Sequence, residues 1–367
     1  MPRKKLLCIF TTLMGNRATT QRMMDVIGTL DNIEPTYVLL DVADYQRYSM
    51  PWWAKLTDPW QSEYLARCKA APVLDSHYDA MLVNGWELMV AFQDVAQRIP
   101  AAAMMDAVPA TSDCQLRRRG HGGVKRLLSF QLHHFRFARA AREFQLFLPM
   151  GSDCKDSLER DYGIPGEQCF VTLAPQDTDR WKPASAKAAV RSPLRLLFVT
   201  NDFDRKGGDF LLDLFSRHLS DGFTLTIASN DPKLEAKSLP AGVEWLRGLD
   251  RERMMEIYRS SDVFVFPTQQ DYMPQVLAEA LATGVPCIAN DVGGIRDLVL
   301  DGKTGFLMSP DATPAEWAQR VFSLADHPEE LQRISREARI FAEEKLTIGR
   351  FQELIQNVMN RLVGSPS

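Results

Sequence analysis

Residues 262–309, DVFVFPTQQDYMPQVLAEALATGVPCIANDVGGIRDLVLDGKTGFLMS, constrain the fold more than any other stretch of this chain. The apolar run 263–266 reads as a buried strand, stopped by Pro267. A polar loop covers 268–271. The apolar spacing then predicts a helix over about 275–283, ended by Gly284 and Pro286. A second apolar run, 287–289, leads into Asp291-Val292-Gly293-Gly294. In an open parallel sheet, ligands bind where such loops leave the carboxyl ends of strands. Asp271 and Glu279 bracket the loop and the start of the helix. They are eight residues apart, roughly 11 Å if the span were helical, so they can reach different parts of one elongated ligand.

The same alternation runs through the chain and gives an α/β class with parallel sheets. In the first half, 5–11, 35–40, 80–83, 101–105 and 144–148 read as strands, with helices between them, notably 22–30 and 123–142. In the second half the strands are 194–200, 223–228, 243–246, 263–267 and 286–289. Between the halves, PASAKAAVRSP (183–193) is small, polar and bounded by prolines, as a linker is. The last 50 or so residues space apolar positions as helices do, for example Phe351, Leu354, Ile355 and Val358. The expected division is a first domain over 1–183, a linker over 184–193 and a second domain over 194–345. A C-terminal helix over 346–367 is expected to pack back towards the first domain.

A chain of 367 residues suffices for two domains. A net charge of −4 gives no hint of a nucleic-acid partner. No apolar run approaches the roughly 20 residues that span a bilayer. The opening MPRKKLLCIFTTLMG reads as a first buried strand with a basic entry rather than a signal peptide. Six scattered cysteines without a CxxC pair suit a reducing compartment and argue against a structural zinc. A cytoplasmic location is expected.

A second motif, FVTNDFDRKGGDFLLDLF, follows the linker. A strand ends in a loop holding Arg205, Lys206, Gly207 and Gly208, and a helix follows. Arg offers a fork and Lys a point charge, together able to neutralise a diphosphate. Other features have plainer readings. His133 and His134 lie inside a helix without ligand spacing, so a packing role is expected. The basic run 116–128, from Arg117 to Arg126, reads as a solvated loop, with peripheral contact to anionic lipid as the sharper alternative. Trp52, Trp53 and Trp60 could stack on a ring-shaped ligand or touch a membrane, but packing is favoured.

The 262–309 segment resembles the retaining, nucleotide-sugar-dependent glycosyltransferases of the GT-B fold, family 4 (group 1). The resemblance rests on an acid, seven residues, Glu, Ala-x-Ala-x-Gly-x-Pro and a later Asp-x-Gly-Gly. Asp271, Pro274, Glu279, Ala280, Ala282, Gly284, Pro286, Gly293 and Gly294 carry it, with Asp301, Gly302, Thr304 and Gly305 beyond. It implies two Rossmann-like domains facing each other across a cleft, and a nucleoside diphosphate sugar as donor. The acceptor would be a glycan or lipid-linked molecule, and there would be no metal and no cofactor.

By the same resemblance Asp271, where relatives usually carry Glu, contacts the transferred sugar, and Glu279 contacts the ribose hydroxyls. Backbone groups of Met273, Pro274, Gln275 and Val276 meet the phosphates. Lys206 and Gly207 match an Arg-x4-Lys-Gly pattern, but Asn201 stands where its arginine would be, leaving Arg205 as the substitute. Arg247, with Gly248, matches the loop that borders the base in relatives, or is a simple strand-end turn. Gly15 lies in the loop that meets the donor from the other domain. Asp106 occupies the strand end where many relatives have His; it is either an acceptor-orienting carboxylate or a cap. The Asn201 and Asp271 departures also motivate an alternative: a catalytically weak subunit that binds nucleotide sugar or glycan. An epimerase or phosphorylase of the same fold is a third possibility.

Overall fold

The computed structural model describes residues 3–12, 17–52, 54–118, 123–184 and 193–364. Two compact units emerge. The first comprises Met1–Pro175 with Ile348–Ser367, the second Gln176–Thr347. Most of the expected linker, 185–192, lies outside the described residues.

Among its described residues the first unit holds five parallel strands: β1 (Lys4–Thr11), β2 (Ile33–Leu40), β3 (Ala80–Asn84), β4 (Ala101–Met105) and β5 (Leu146–Pro149). Their order is β2-β1-β3-β4-β5. Strands β3 and β4 are buried along their whole length, as expected where helices cover both faces of a parallel sheet. Leu7, Ile9, Met81, Val83, Phe92, Phe137 and Phe147 share one core cluster. Helix Ile348–Val363 completes this unit by packing on helix Arg17–Gly28. It buries Phe351, Ile355, Val358, Met359 and Leu362, one face at helical spacing.

Among its described residues the second unit holds six parallel strands: β6 (Leu194–Val199), β7 (Phe223–Ala228), β8 (Val243–Leu246), β9 (Val263–Phe266), β10 (Cys287–Asn290) and β11 (Gly305–Met308). The order is β11-β10-β9-β6-β7-β8. Strand β11 was not anticipated; four residues after a tight turn carry little periodicity. Successive strands run outwards from β6 on one side and from β9 on the other. Between those two the loops diverge, and a crevice opens at their carboxyl ends. Arg195 fixes this junction. Its backbone N–H, Nε and second guanidinium nitrogen all donate to Asp262, at 2.9, 3.0 and 3.0 Å, tying the start of β6 to the start of β9. Among the described residues no helix is long and apolar enough to cross a membrane.

Candidate functional site

The loop after β6 runs over 200–207, and helix Gly208–Leu214 follows it. Within it, Asp202 accepts from Arg205 Nε at 2.6 Å and from the Arg205 backbone N–H at 3.3 Å. A guanidinium nitrogen of Arg205 donates to the Gln270 carbonyl at 3.0 Å, which links this loop to the loop after β9. The Lys206 ammonium closes an ion pair with Asp271 across the same gap. Both side chains are nearly buried, 14% and 12% exposed. Burial drives the Lys206 ammonium below its ordinary value, against the opposing pull of the Asp271 carboxylate. Gly207 permits the approach. Its φ of +83° is left-handed, and a side chain there would collide with the Pro267 carbonyl.

The loop after β9 leads into helix Gln275–Ala282, with Pro274 at its N-cap and no side chain capping it. The positive end of the helix dipole therefore faces this loop. A second glycine locks the loop in place. Gly294 N–H donates to the Tyr272 carbonyl at 2.8 Å, and a Cβ on Gly294 would collide with that oxygen and press Met273 Cε at 2.9 Å. Glu279 sits one turn into the helix and accepts from the Tyr258 hydroxyl at 3.1 Å. Tyr258 is buried. Burial, then the Glu279 charge, raises its hydroxyl well above the usual range, so it stays a donor. Residues 271–274 are not helical and the helix begins at Gln275, as the apolar spacing predicted, so only the stretch from Gln275 to Glu279 has a helical rise.

Farther along the sheet edge, Asn201 Oδ1 accepts from Asn230 N–H at 3.1 Å, and Asn230 Oδ1 accepts from Gly248 N–H at 2.8 Å. This chain of amides joins the carboxyl ends of β6, β7 and β8. Arg247 turns to Glu235 at 2.7 Å and lies over the Trp245 ring. It follows β8, two strands from β6, so it does not join the Lys206–Asp271 pair. The fold thus brings Arg205, Lys206 and Asp271 together at the β6/β9 crevice, places Met273 and Pro274 in the loop after β9 and Gln275, Val276 and Glu279 on the helix that follows, and leaves Arg247 at the end of β8. Three supporting residues escaped sequence reasoning. Asp202 clamps Arg205, and its spacing of three could have suggested that. Tyr258 positions Glu279 from another helix. Asn290, buried at the end of β10, donates to the Thr268 carbonyl at 3.1 Å. Neither of the last two has a local signal.

In the first unit Asp106 follows β4, half-buried. Its neighbour in charge is Glu87, also missed, which enters helix Trp86–Ala91 after β3. Burial pushes the Glu87 carboxyl up to about 7, with Asp106 and Glu63 adding to the rise. Gly15 and Trp53 lie outside the described residues. His133 is buried, its ring 6.3 Å from Trp60 and 5.5 Å from Trp86. His134 meets the Tyr162 hydroxyl at 3.2 Å. Both histidines pack, as expected. Trp60 packs too, whereas Trp52 is exposed. Among the described residues no three His, Cys, Asp or Glu side chains gather as metal ligands.

The family model described as "Glycosyl transferases group 1" matches residues 193–327. The D-inositol 3-phosphate glycosyltransferase of Rhodococcus jostii is 29% identical over 211 residues, 51% of this chain and 46% of that protein. The glycogen synthase of Mycobacterium tuberculosis is 27% identical over 257 residues, 67% of this chain and 61% of that protein. The chain therefore spans about half to three fifths of the length of these curated relatives. Among solved structures, the sucrose-phosphate synthase of Thermosynechococcus elongatus superposes with a TM-score of 0.80 at 12% identity, covering 99% of this chain and 100% of that one. HepE of Anabaena, solved in complex with UDP and glucose, gives 0.73 at 14%, covering 98% and 100%. These likenesses establish the GT-B fold.

Proposed function

We propose that this chain is a group 1 glycosyl transferase, as the match over residues 193–327 supports, and that it moves a hexose-type sugar from a nucleoside diphosphate sugar to a glycan or lipid-linked acceptor, with retention of configuration. The observation that carries this reading is the convergence of Lys206, Arg205 and Asp271 at the β6/β9 crevice of the second unit. A nearly buried cation there is placed to meet a departing diphosphate, and Arg205 and the uncapped helix start at Gln275 add to the field. Asp271, ion-paired with Lys206, would orient the transferred sugar. Glu279, held by Tyr258, would take the ribose hydroxyls. Met273 and Pro274 shape the wall between them. Catalysis would then rest on positioning and charge stabilisation. No protein nucleophile is assigned; the leaving phosphate would help deprotonate the acceptor from the same face. The reaction is read as metal-independent, in the cytoplasm, with a membrane-apposed acceptor among the options. Asp106 remains the proposed acceptor-side carboxylate.

Donor turnover by Lys206→Ala and Glu279→Ala tests the assignment. Each should lose about a hundredfold or more, by analogy with removing one transition-state donor. Wild-type rates in both, with every nucleotide sugar the native protein uses, would sink it. A second reading is favoured by one observation. Asn201 has its amide oxygen engaged by the Asn230 N–H, where relatives are expected to offer an arginine. A subunit that binds the nucleotide but neither transfers nor hydrolyses the donor would fit that departure.

A further inference from the structure

Helix Val124–Ala141 of the first unit leaves a large apolar face uncovered. Val124, Leu127, Leu128, Leu132 and Phe135 are 73, 45, 65, 42 and 67% exposed. Single exposed apolar side chains are ordinary, but a contiguous stripe along one helix marks an interaction surface. At 100° per residue these five fall on one side of the helix, with Gln131, Arg139 and Arg142. Phe137, Ala140 and Ala141 fall on the other side and enter the core.

The charge around the stripe says what covers it. Residues 116–142 contain eight Lys and Arg and no Asp or Glu, in a chain whose net charge is −4. Arg126 is tied to Asp113, and Arg136 donates to Glu63 at 2.9 Å, so those two serve the fold. Arg139 and Arg142 are exposed and continue the stripe one and two turns beyond Phe135. An apolar stripe running into cations, with no acid on the helix, suits the boundary between acyl chains and anionic headgroups. A second copy of the same stripe would bring like charges together.

We propose that helix Val124–Ala141 docks this protein on anionic lipid bilayers, with Leu128 and Phe135 entering the acyl boundary and Arg139 and Arg142 on the headgroups. The inference stands apart from the glycosyl-transfer reading, since nothing in it uses the β6/β9 crevice.

The test is co-sedimentation of the full chain with vesicles of phosphatidylcholine containing phosphatidylglycerol, and with pure phosphatidylcholine. The native protein should sediment with the anionic vesicles, and added salt should weaken binding. Leu128→Ser with Phe135→Ser should abolish it, and Arg139→Ser with Arg142→Ser should weaken it by about tenfold or more. Phe135→Trp should show a blue-shifted emission on anionic vesicles only, a gain of signal that does not depend on the serine variants folding. A native protein left in the supernatant at low salt would overturn the proposal, as would a folded Leu128→Ser/Phe135→Ser variant that sediments like wild type. So would a concentration-dependent dimer lost in that variant, with no vesicle binding, which would assign the stripe to a second copy.

Discussion

Lys206 is held where an ammonium is costly. Burial lowers its proton affinity, and the Asp271 carboxylate opposes that effect. Replacing Asp271 with Asn removes the opposing charge, so the Lys206 ammonium should lose its proton at still lower pH. The alkaline limb of donor binding, followed by titration calorimetry across pH, should shift downwards in Asp271→Asn. Glu87 presents the reverse case. Its carboxyl is raised from 4.5 to about 7 in the folded protein, so the native state binds more protons than the unfolded chain between those values. Stability should therefore fall as pH rises through that window, and Glu87→Gln should flatten the dependence. Urea unfolding at either end of the window checks the sign; a Gln variant as pH-sensitive as wild type would refute it.

At the scale of elements, the crevice depends on how β6 meets β9. One carboxylate, Asp262, takes three N–H donors from Arg195 at the start of both strands. Asp262→Ala would leave a half-buried guanidinium and a strand N–H without that acceptor, at a cost of about 1–3 kcal/mol. A fall in urea midpoint with an unchanged slope would be the signature. The alternation of apolar runs and helical spacing made nearly every strand legible, because parallel strands buried on both faces must be continuously apolar. Strand β11 escaped because it follows directly on the turn 302–304 and opens with Gly305, so it has little apolar pattern of its own. The helix start near Gln275 was legible, but the loop 271–274 before it has no fixed rise, so the reach from Asp271 to Glu279 was not.

For the whole molecule, the first unit is discontinuous in sequence. Helix Ile348–Val363 returns to it after the second unit is complete. Deleting 348–367 removes five buried apolar side chains, each contributing about 1.5–3 kcal/mol. That sum matches the entire stability of a typical domain, roughly 5–15 kcal/mol. The first unit should then unfold. The second unit, which contains Lys206, Asp271 and Glu279, should keep its own melting transition and its upward shift with nucleoside diphosphate. Calorimetry of the truncated chain with and without nucleotide reads both; loss of the shift would place part of the nucleotide site in the first unit.

Periodicity, glycine positions and the paired motifs around 205–208 and 271–294 sufficed to give the α/β class, the two halves and the two loops that meet at the crevice, because local spacing dictates strand, turn and helix. What sequence could not supply was partnership across the chain. Asp202 holding Arg205, Tyr258 holding Glu279, Glu87 sharing its field with Asp106, and Arg247 turned away to Glu235 are all set by strand order and packing. Neighbours in space there come from elements far apart in sequence, and no local pattern encodes them.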